Sequence, residues 1–225
     1  MSAKRRIGLY GGTFDPVHLG HLEVARGVCR LFDIEQVLFV PAQRAPHKTG
    51  SPVTAPIYRY AMLALATQYD HRFVVSTFEL NGPGRRYTVD SVTHFQSVFS
   101  DDAALFFIMG ADSWSEITTW REWERLLGMV NHVVVTRPGY ELLETHVGNE
   151  LRQRVIDLRG AEKSPSIEQG QPRIFLTDVA MRDVSATDIR RAARQGQYEL
   201  LTDFVTPSVA DYIRKYEVYR EVHEA

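Results

Sequence analysis

The amino-acid sequence predicts an α/β fold, a doubly wound parallel sheet with a small C-terminal helical part. Three observations carry that reading. Short apolar runs recur along the chain, and the segments between them place apolar residues at helical spacing. A glycine-rich turn, Gly11-Gly12-Thr13, follows the first run and leads straight into a helical segment. From residue 184 onward the pattern is helical only. Strands alternating with helices imply a parallel sheet covered on both faces, and ligands on such sheets sit beyond the carboxyl ends of the strands.

Taken in order, Arg6-Ile7-Gly8-Leu9-Tyr10 is short and apolar enough for a buried first strand, and Leu22 to Phe32 has the spacing of a helix. Val37-Leu38-Phe39-Val40 forms the second strand, closed by Pro41, and Ala42 to Pro56 is a loop rich in Pro, Gly, Ser and Thr. A helix over Ile57 to Gln68 and a strand over Phe73 to Ser76 precede the Gly82-Pro83-Gly84 loop. Thr88 to Phe99 reads as a helix with Thr88 in the cap position and Val89, Val92, Phe95 and Phe99 inward. Leu105 to Met109 makes the fourth strand, Trp114 to Leu127 is helical or mixed, and His132 to Thr136 makes the fifth. Between Tyr140 and Pro172 the pattern weakens: Leu151 to Leu158 reads as a short helix and Gly160 to Pro172 as a polar surface excursion. Ile174-Phe175-Leu176 is the last strand, followed by helices over Thr187 to Arg194, Tyr198 to Leu201 and Pro207 to Tyr216.

At 225 residues, with 44% hydrophobic and 24% charged, the chain can bury a full core in one domain. A net charge of −2 provides no overall attraction to nucleic acid or to an anionic membrane, so any phosphate binding must be local. Cys29 has no second cysteine to pair with, and its place in the apolar stripe of the first helix marks a buried structural thiol. Too few apolar residues separate Lys4-Arg5-Arg6 from Gly11 for a signal peptide, and no apolar run approaches membrane-spanning length. A cytoplasmic protein is expected.

The chemistry concentrates in Gly11-Gly12-Thr13-Phe14-Asp15-Pro16 and the His18-Leu19-Gly20-His21 that follows. Glycines let backbone approach a ligand closely, and a helix start offers unpaired N–H groups and a positive dipole. On a helix, His18 and His21 would share one face and grip one triphosphate. Imidazole N–H donors stabilise charge that grows on a phosphorus centre without forming a covalent intermediate. In Val184-Ser185-Ala186-Thr187-Asp188-Ile189-Arg190, hydroxyls at a helix start with an arginine one turn on can hold further phosphates; Ser185 or Thr187 as a plain N-cap with a solvated Arg190 is the competing reading. Lys48, in Pro46-His47-Lys48, can reach a phosphate or simply face solvent. Trp120 offers a flat face on which a planar ring can stack, though Trp114 and Trp123 nearby show that position alone does not decide among them. Backbone N–H groups around Thr88 can receive a carboxylate, while Asp112 reads equally as a ribose or metal-water contact and as a helix cap.

Gly12 to His21 resembles the signature G-x-F-x-P-x-H-x-G-H of the nucleotidyltransferase superfamily, with every fixed position present. Class I aminoacyl-tRNA synthetases share a His-x-Gly-His element, but the lysine-rich second loop that they need is not found in this chain. Pro46-His47-Lys48 resembles the P-H-K loop of the superfamily, and Val184 to Arg190 its I-S-S-T-x-I-R element, with Ala186 where a second serine often stands. Ser76 to Leu80, Gly84, Tyr87 to Ser91, Gly110 to Ser113, Trp120 and Arg137-Pro138-Gly139 are similar, in order, to stretches of the bacterial nicotinate mononucleotide adenylyltransferases. Val205 to Ile213 resembles their C-terminal helix, and the clearest gap in the likeness is Tyr140 to Pro172. Pantetheine-phosphate adenylyltransferases and cytidylyltransferases do not account for the Glu79 to Asp90 stretch or for Trp120.

The resemblance implies a Rossmann-like domain over residues 1–183 and a helical segment over 184–225 that completes a nucleotide site. It implies ATP and nicotinate mononucleotide as substrates, magnesium carried on the ATP phosphates, and no protein metal site, nucleic acid or membrane partner. It leaves room for a homo-oligomer without requiring one. Catalysis falls to His18, His21, Lys48 and Arg190, and substrate binding to Gly11, Gly12, Thr13, Phe14, Thr88, Gly110, Asp112, Trp120, Arg137, Ser185 and Thr187.

Overall fold

Seven parallel strands lie in the order β3-β2-β1-β4-β5-β7-β6. The computed structural model describes residues 4–43, 53–81, 86–136, 147–161, 164–165, 170–179 and 184–220. The strands are β1 (Arg5–Gly12), β2 (Gln36–Pro41), β3 (Phe73–Val75), β4 (Ala103–Gly110), β5 (Asn131–Val135), β6 (Val155–Asp157) and β7 (Ile174–Thr177). The helices are α1 (Leu19–Phe32), α2 (Pro56–Thr67), α3 (Thr88–Phe99), α4 (Ala111–Ser115), α5 (Trp123–Met129), α6 (Asn149–Arg152), α7 (Ala186–Arg194) and α8 (Pro207–Tyr216). The doubly wound α/β architecture expected from the alternation is the one observed. Among the described residues, no helix is long and apolar enough to cross a membrane.

Side-chain alternation along the central strands splits the core in two. Phe106 and Ile108 of β4 join the layer under α1, α2, α7 and α8, while Leu105, Phe107 and Met109 join the layer under α3, α4 and α5. The C-terminal helices belong to the first layer outright: Ile189, Leu201, Val209 and Ile213 pack into the same cluster as Val28 and Phe32 of α1. Cys29 is buried there, and burial pushes its thiol up to about 11, which leaves it protonated and inert.

Three details depart from the sequence reading, and one that it left open is settled. A strand, β6, stands in the second half of the segment expected to be a short helix over Leu151 to Leu158; only Asn149–Arg152 is helical. Edge pairing with β7 decides the matter, since Val155, Ile156 and Asp157 register against Ile174, Phe175 and Leu176. The mixed region resolves into α4, a 3₁₀ turn at Ile117–Thr119, and α5. Tyr87, rather than Thr88, is the N-cap of α3, because Asp90 reaches back to accept the Tyr87 N–H at 2.9 Å. His18 likewise stands just before α1 as its N-cap, at φ −141°, so the two histidines are a cap and a first-turn residue.

Gly27 shows how tightly α1 is seated. A Cβ at this position would lie 2.7 Å from the Val179 side chain and 2.9 Å from the Val179 carbonyl oxygen, just past β7. Alanine is the better helix former by about 1 kcal/mol. Here the clash is with backbone, so overpacking prevails, at a cost of about 1–3 kcal/mol. Gly27→Ala is therefore expected to lower the urea midpoint of unfolding, and an unchanged or raised midpoint would show that Val179 yields.

Candidate functional site

The order of the strands reverses between β1 and β4, and a cavity of about 730 Å³ opens at their carboxyl ends. Its walls come from Gly11 to Asp15 after β1, His18 and His21 at the start of α1, the first turn of α3, Gly110 to Ser113 after β4, and Val184 to Thr187 leading into α7. The turn after β1 is shaped by packing. Phe14 adopts a positive φ of 51° and folds its ring against Gly12, where a Cβ would lie 2.9 Å from it. At Gly11 a Cβ would come within 3.0 Å of the Phe107 ring. Both glycines thus have a packing reason alongside the approach to ligand expected of them. Gly110 is similar, since the Asp112 carboxylate occupies the place of its missing Cβ, at 2.6 Å.

The two imidazoles stack with ring centroids 3.7 Å apart. Nδ1 of His21 accepts the backbone N–H of His18 at 3.2 Å. That bond puts the ring proton of a neutral His21 on Nε2, and the Phe14 ring packs against it at a steep angle, with centroids 5.0 Å apart. The pair lies on the cavity wall as a preset donor surface.

Arg190 is placed differently from the expectation. It is not among the residues lining the cavity; its guanidinium donates to the Asp15 carbonyl at 2.6 Å and to Thr187 Oγ1 at 3.1 Å. Ser185 is the N-cap of α7, accepting the Asp188 N–H at 3.4 Å, and it lines the cavity together with Thr187. Cap and cavity residue are therefore compatible roles for Ser185. Lys48 and Arg137 lie outside the described residues.

Of the three tryptophans, only Trp120 lines the cavity; Trp114 is fully buried in the core and Trp123 begins α5. The Trp120 ring stands edge-on to Phe107, centroids 6.2 Å apart. Thr88 begins α3 on the same cavity. The first backbone bonds into the Tyr87 carbonyl come from Asp90 and Ser91, so the Thr88 N–H belongs to the unpaired end of the helix. Asp112 sits in the first turn of α4, whose N-cap is Gly110, and its carboxylate is exposed toward the cavity; the cap alternative falls.

Sequence reasoning assigned no role to two charged residues here. Glu79 lines the cavity and accepts the Ser91 hydroxyl at 2.6 Å. Burial pushes its carboxyl up to about 7, against the lowering effects of the Ser91 hydrogen bond and of Arg86 and Arg59, while Asp90 adds to the rise. Arg59 of α2 has no exposed surface and donates to three backbone carbonyls around the turn. The available signal was its spacing: Arg59 precedes Met62 and Leu63 by three and four positions, on the face that α2 buries. Among the described residues there is no cluster of three or more His, Cys, Asp or Glu placed to hold a metal ion.

Residues 9–192 match the cytidylyltransferase-like family. Over 224 residues, 100% of this chain and 99% of the relative, the sequence is 36% identical to a probable nicotinate-nucleotide adenylyltransferase of Thermoanaerobacter sp. (strain X514). A protein of the same description from Thermus thermophilus is 39% identical, with 96% of this chain and 100% of that protein aligned. The fold is also similar to that of a Plasmodium falciparum nicotinic acid mononucleotide adenylyltransferase complexed with NaAD, at a TM-score of 0.70 and 17% identity over 96% of this chain and 97% of that one. The chain is a nucleotidyltransferase of the cytidylyltransferase-like family and belongs, along its length, with the nicotinate-nucleotide adenylyltransferases.

Proposed function

We propose that this chain transfers the AMP moiety of ATP to nicotinate mononucleotide, giving deamido-NAD and pyrophosphate. The observation that carries the proposal is the stacked His18–His21 pair on the wall of a cavity that also takes in Thr88 and Trp120. One site then serves both a triphosphate and a pyridine ring. The names of the relatives, and the NaAD held by the Plasmodium falciparum protein, support the same reading.

In this reading a phosphate oxygen of the mononucleotide attacks the α-phosphorus of ATP in line. The bond from the α-phosphorus to the bridging oxygen breaks, and pyrophosphate leaves. The attacking oxygen is already anionic at neutral pH, so no general base is needed. The chain contributes position and charge. Gly11, Gly12, Thr13 and Phe14 hold backbone against the triphosphate, Nε2–H of His21 and the His18 ring meet charge growing on the α-phosphate, and Lys48 and Arg190 supply positive charge. Arg190 does so by exchanging its bonds to Asp15 and Thr187 for phosphate. Ser185 and Thr187 add hydroxyls, and Gly110, Asp112 and Arg137 complete the nucleotide contacts. Magnesium would arrive on the ATP phosphates and neutralise them, which needs no protein cage and agrees with a donor set of imidazoles and backbone amides around Asp112.

Trp120 stacks on the pyridine ring, and the start of α3 at Thr88 receives its carboxylate. Glu79 lies against that helix turn through Ser91. Below about pH 7 it is neutral and places no second negative charge beside the substrate anion. Release of pyrophosphate from ATP on addition of nicotinate mononucleotide, followed by mass detection of deamido-NAD, tests the proposal; absence of both in folded protein refutes it.

Three further outcomes are expected. His18→Ala and His21→Ala lower kcat by about a hundredfold or more while the KM for ATP moves little; a rise in KM at normal kcat would make the histidines ground-state binders. Wild-type protein prefers the acid mononucleotide over its amide by about tenfold to two-hundredfold in kcat/KM, the value of one charge-assisted hydrogen bond. Trp120→Ala lowers both efficiencies and leaves that preference, whereas equal use of acid and amide by the wild type would remove the assigned carboxylate contact. Finally, kcat/KM for the acid falls relative to the amide as pH rises through about 7, because Glu79 is neutral below and ionised above that value. Glu79→Gln removes the dependence; a ratio that still falls in this variant assigns it to another group.

A further inference from the structure

The buried charges beneath the glycine turn form a connected set. Arg59 Nη1 donates to the carbonyl of Thr13 at 2.8 Å, inside the turn that leads to His18. Nε donates to the Thr54 carbonyl at 2.8 Å and Nη2 to the Gln43 carbonyl at 3.2 Å. Thr54 and Gln43 stand on the two sides of residues 44–52, the stretch that includes Lys48. Asp15 holds the same elements from the other side. Its Oδ2 accepts the Thr54 N–H at 3.1 Å, its Oδ1 accepts the Tyr219 hydroxyl at 3.0 Å, and its own carbonyl accepts Arg190.

A guanidinium with no exposed surface is a costly way to fill space. Burial lowers its affinity for the proton, and the charge of Asp15 only partly offsets this. Packing alone would be met by an apolar side chain at the Arg59 position, as Met62 and Leu63 show one turn on. What an apolar side chain cannot do is bind three carbonyls at once in a fixed plane. All three carbonyls belong to the chain around the candidate site, and none to the sheet behind it.

We propose that Arg59 is a positioning residue for the transfer reaction: through the carbonyls of Thr13, Gln43 and Thr54 it fixes the turn leading to His18 against the chain at Gln43 and Thr54. It touches no substrate. Asp15 is its counter-charge and extends the same frame to Arg190. This rests on the adenylyl-transfer reading of the cavity. Lysine at position 59 keeps the charge but not the fork, so the frame loosens while the core remains filled.

The experiment is a kinetic double-mutant cycle in the full chain, with folding followed by circular dichroism and thermal unfolding. Arg59→Lys is expected to lower kcat by about tenfold to a hundredfold, the cost of misplacing reacting groups by about an ångström, with the KM for ATP nearly unchanged. Combined with His18→Ala it lowers kcat by less than the product of the two single losses, because part of its effect runs through the turn that leads to His18. Arg154→Lys is the structural control. Arg154 is also buried and donates to backbone carbonyls, those of Pro172 and Leu127, away from the cavity. It should lower stability, leave kcat near the wild-type value, and combine additively with His18→Ala. If Arg59→Lys does not fold, Asp15→Asn, which keeps the shape and removes the counter-charge, is expected to show the same kcat loss and the same lack of additivity. Normal kcat in either folded variant, or full additivity with His18→Ala, overturns the proposal. A wild-type protein that releases no pyrophosphate overturns the functional reading itself, and this inference with it.

Discussion

The site exists because helices leave β1 and β4 toward opposite faces of one parallel sheet. The helix after β1 buries Leu22, Val28 and Phe32 in one core layer, and the helix after β4 buries Trp114 in the other. No connection can cross the gap at the carboxyl edge between those two strands, so the edge stays open. Everything that lines the cavity is placed by its relation to that gap: the glycine turn and histidine cap from one side, Gly110 and Asp112 from the other, and the start of α7 from beyond. Hydrophobic burial on both faces of the sheet thus determines where polar chemistry can be kept.

Around the gap, preorganisation comes from bonds within the chain. His21 is held by the backbone of the residue that caps its own helix, and by the ring of Phe14. Phe14 in turn rests in the space left by Gly12. The donors therefore do not need to be ordered by a ligand before they can act on one. Arg121 makes a comparable link at the far end, its guanidinium 4.8 Å from the Tyr87 ring, joining the Trp120 turn to the start of α3.

The fold was legible wherever one physical signal dominated. The runs at Leu38-Phe39-Val40 and Phe106-Phe107-Ile108 are buried on both faces and leave no other reading, and α3 begins and ends at the residues expected from its apolar spacing. The misread β6 is three residues long and pairs on one edge only, so its identity depends on β7 rather than on its own composition. In the site, Thr88, Trp120, Asp112 and the two histidines come together on one cavity as the motif order suggested. Arg190 does not face it directly, because a carbonyl in the turn and a neighbouring hydroxyl compete for its guanidinium, and neither partner is visible in a linear pattern. Glu79 and Arg59 were missed for a related reason: their character comes from burial, and burial of a charge is decided by tertiary neighbours.

The bond between Tyr219 and Asp15 joins residues 204 positions apart. The hydroxyl is buried, and burial followed by the nearby carboxylate raises its pKa well above that of a free phenol, so it stays a donor at any physiological pH. Its consequence is temporal. A chain growing from its N-terminus makes the glycine turn early, yet the floor of that turn is finished only when the tyrosine emerges. An unfinished chain on the ribosome can hold the signature residues in full and still lack the surface that keeps them in place. The bond that closes the floor of the turn waits until that tyrosine has left the ribosome, long after the histidines have.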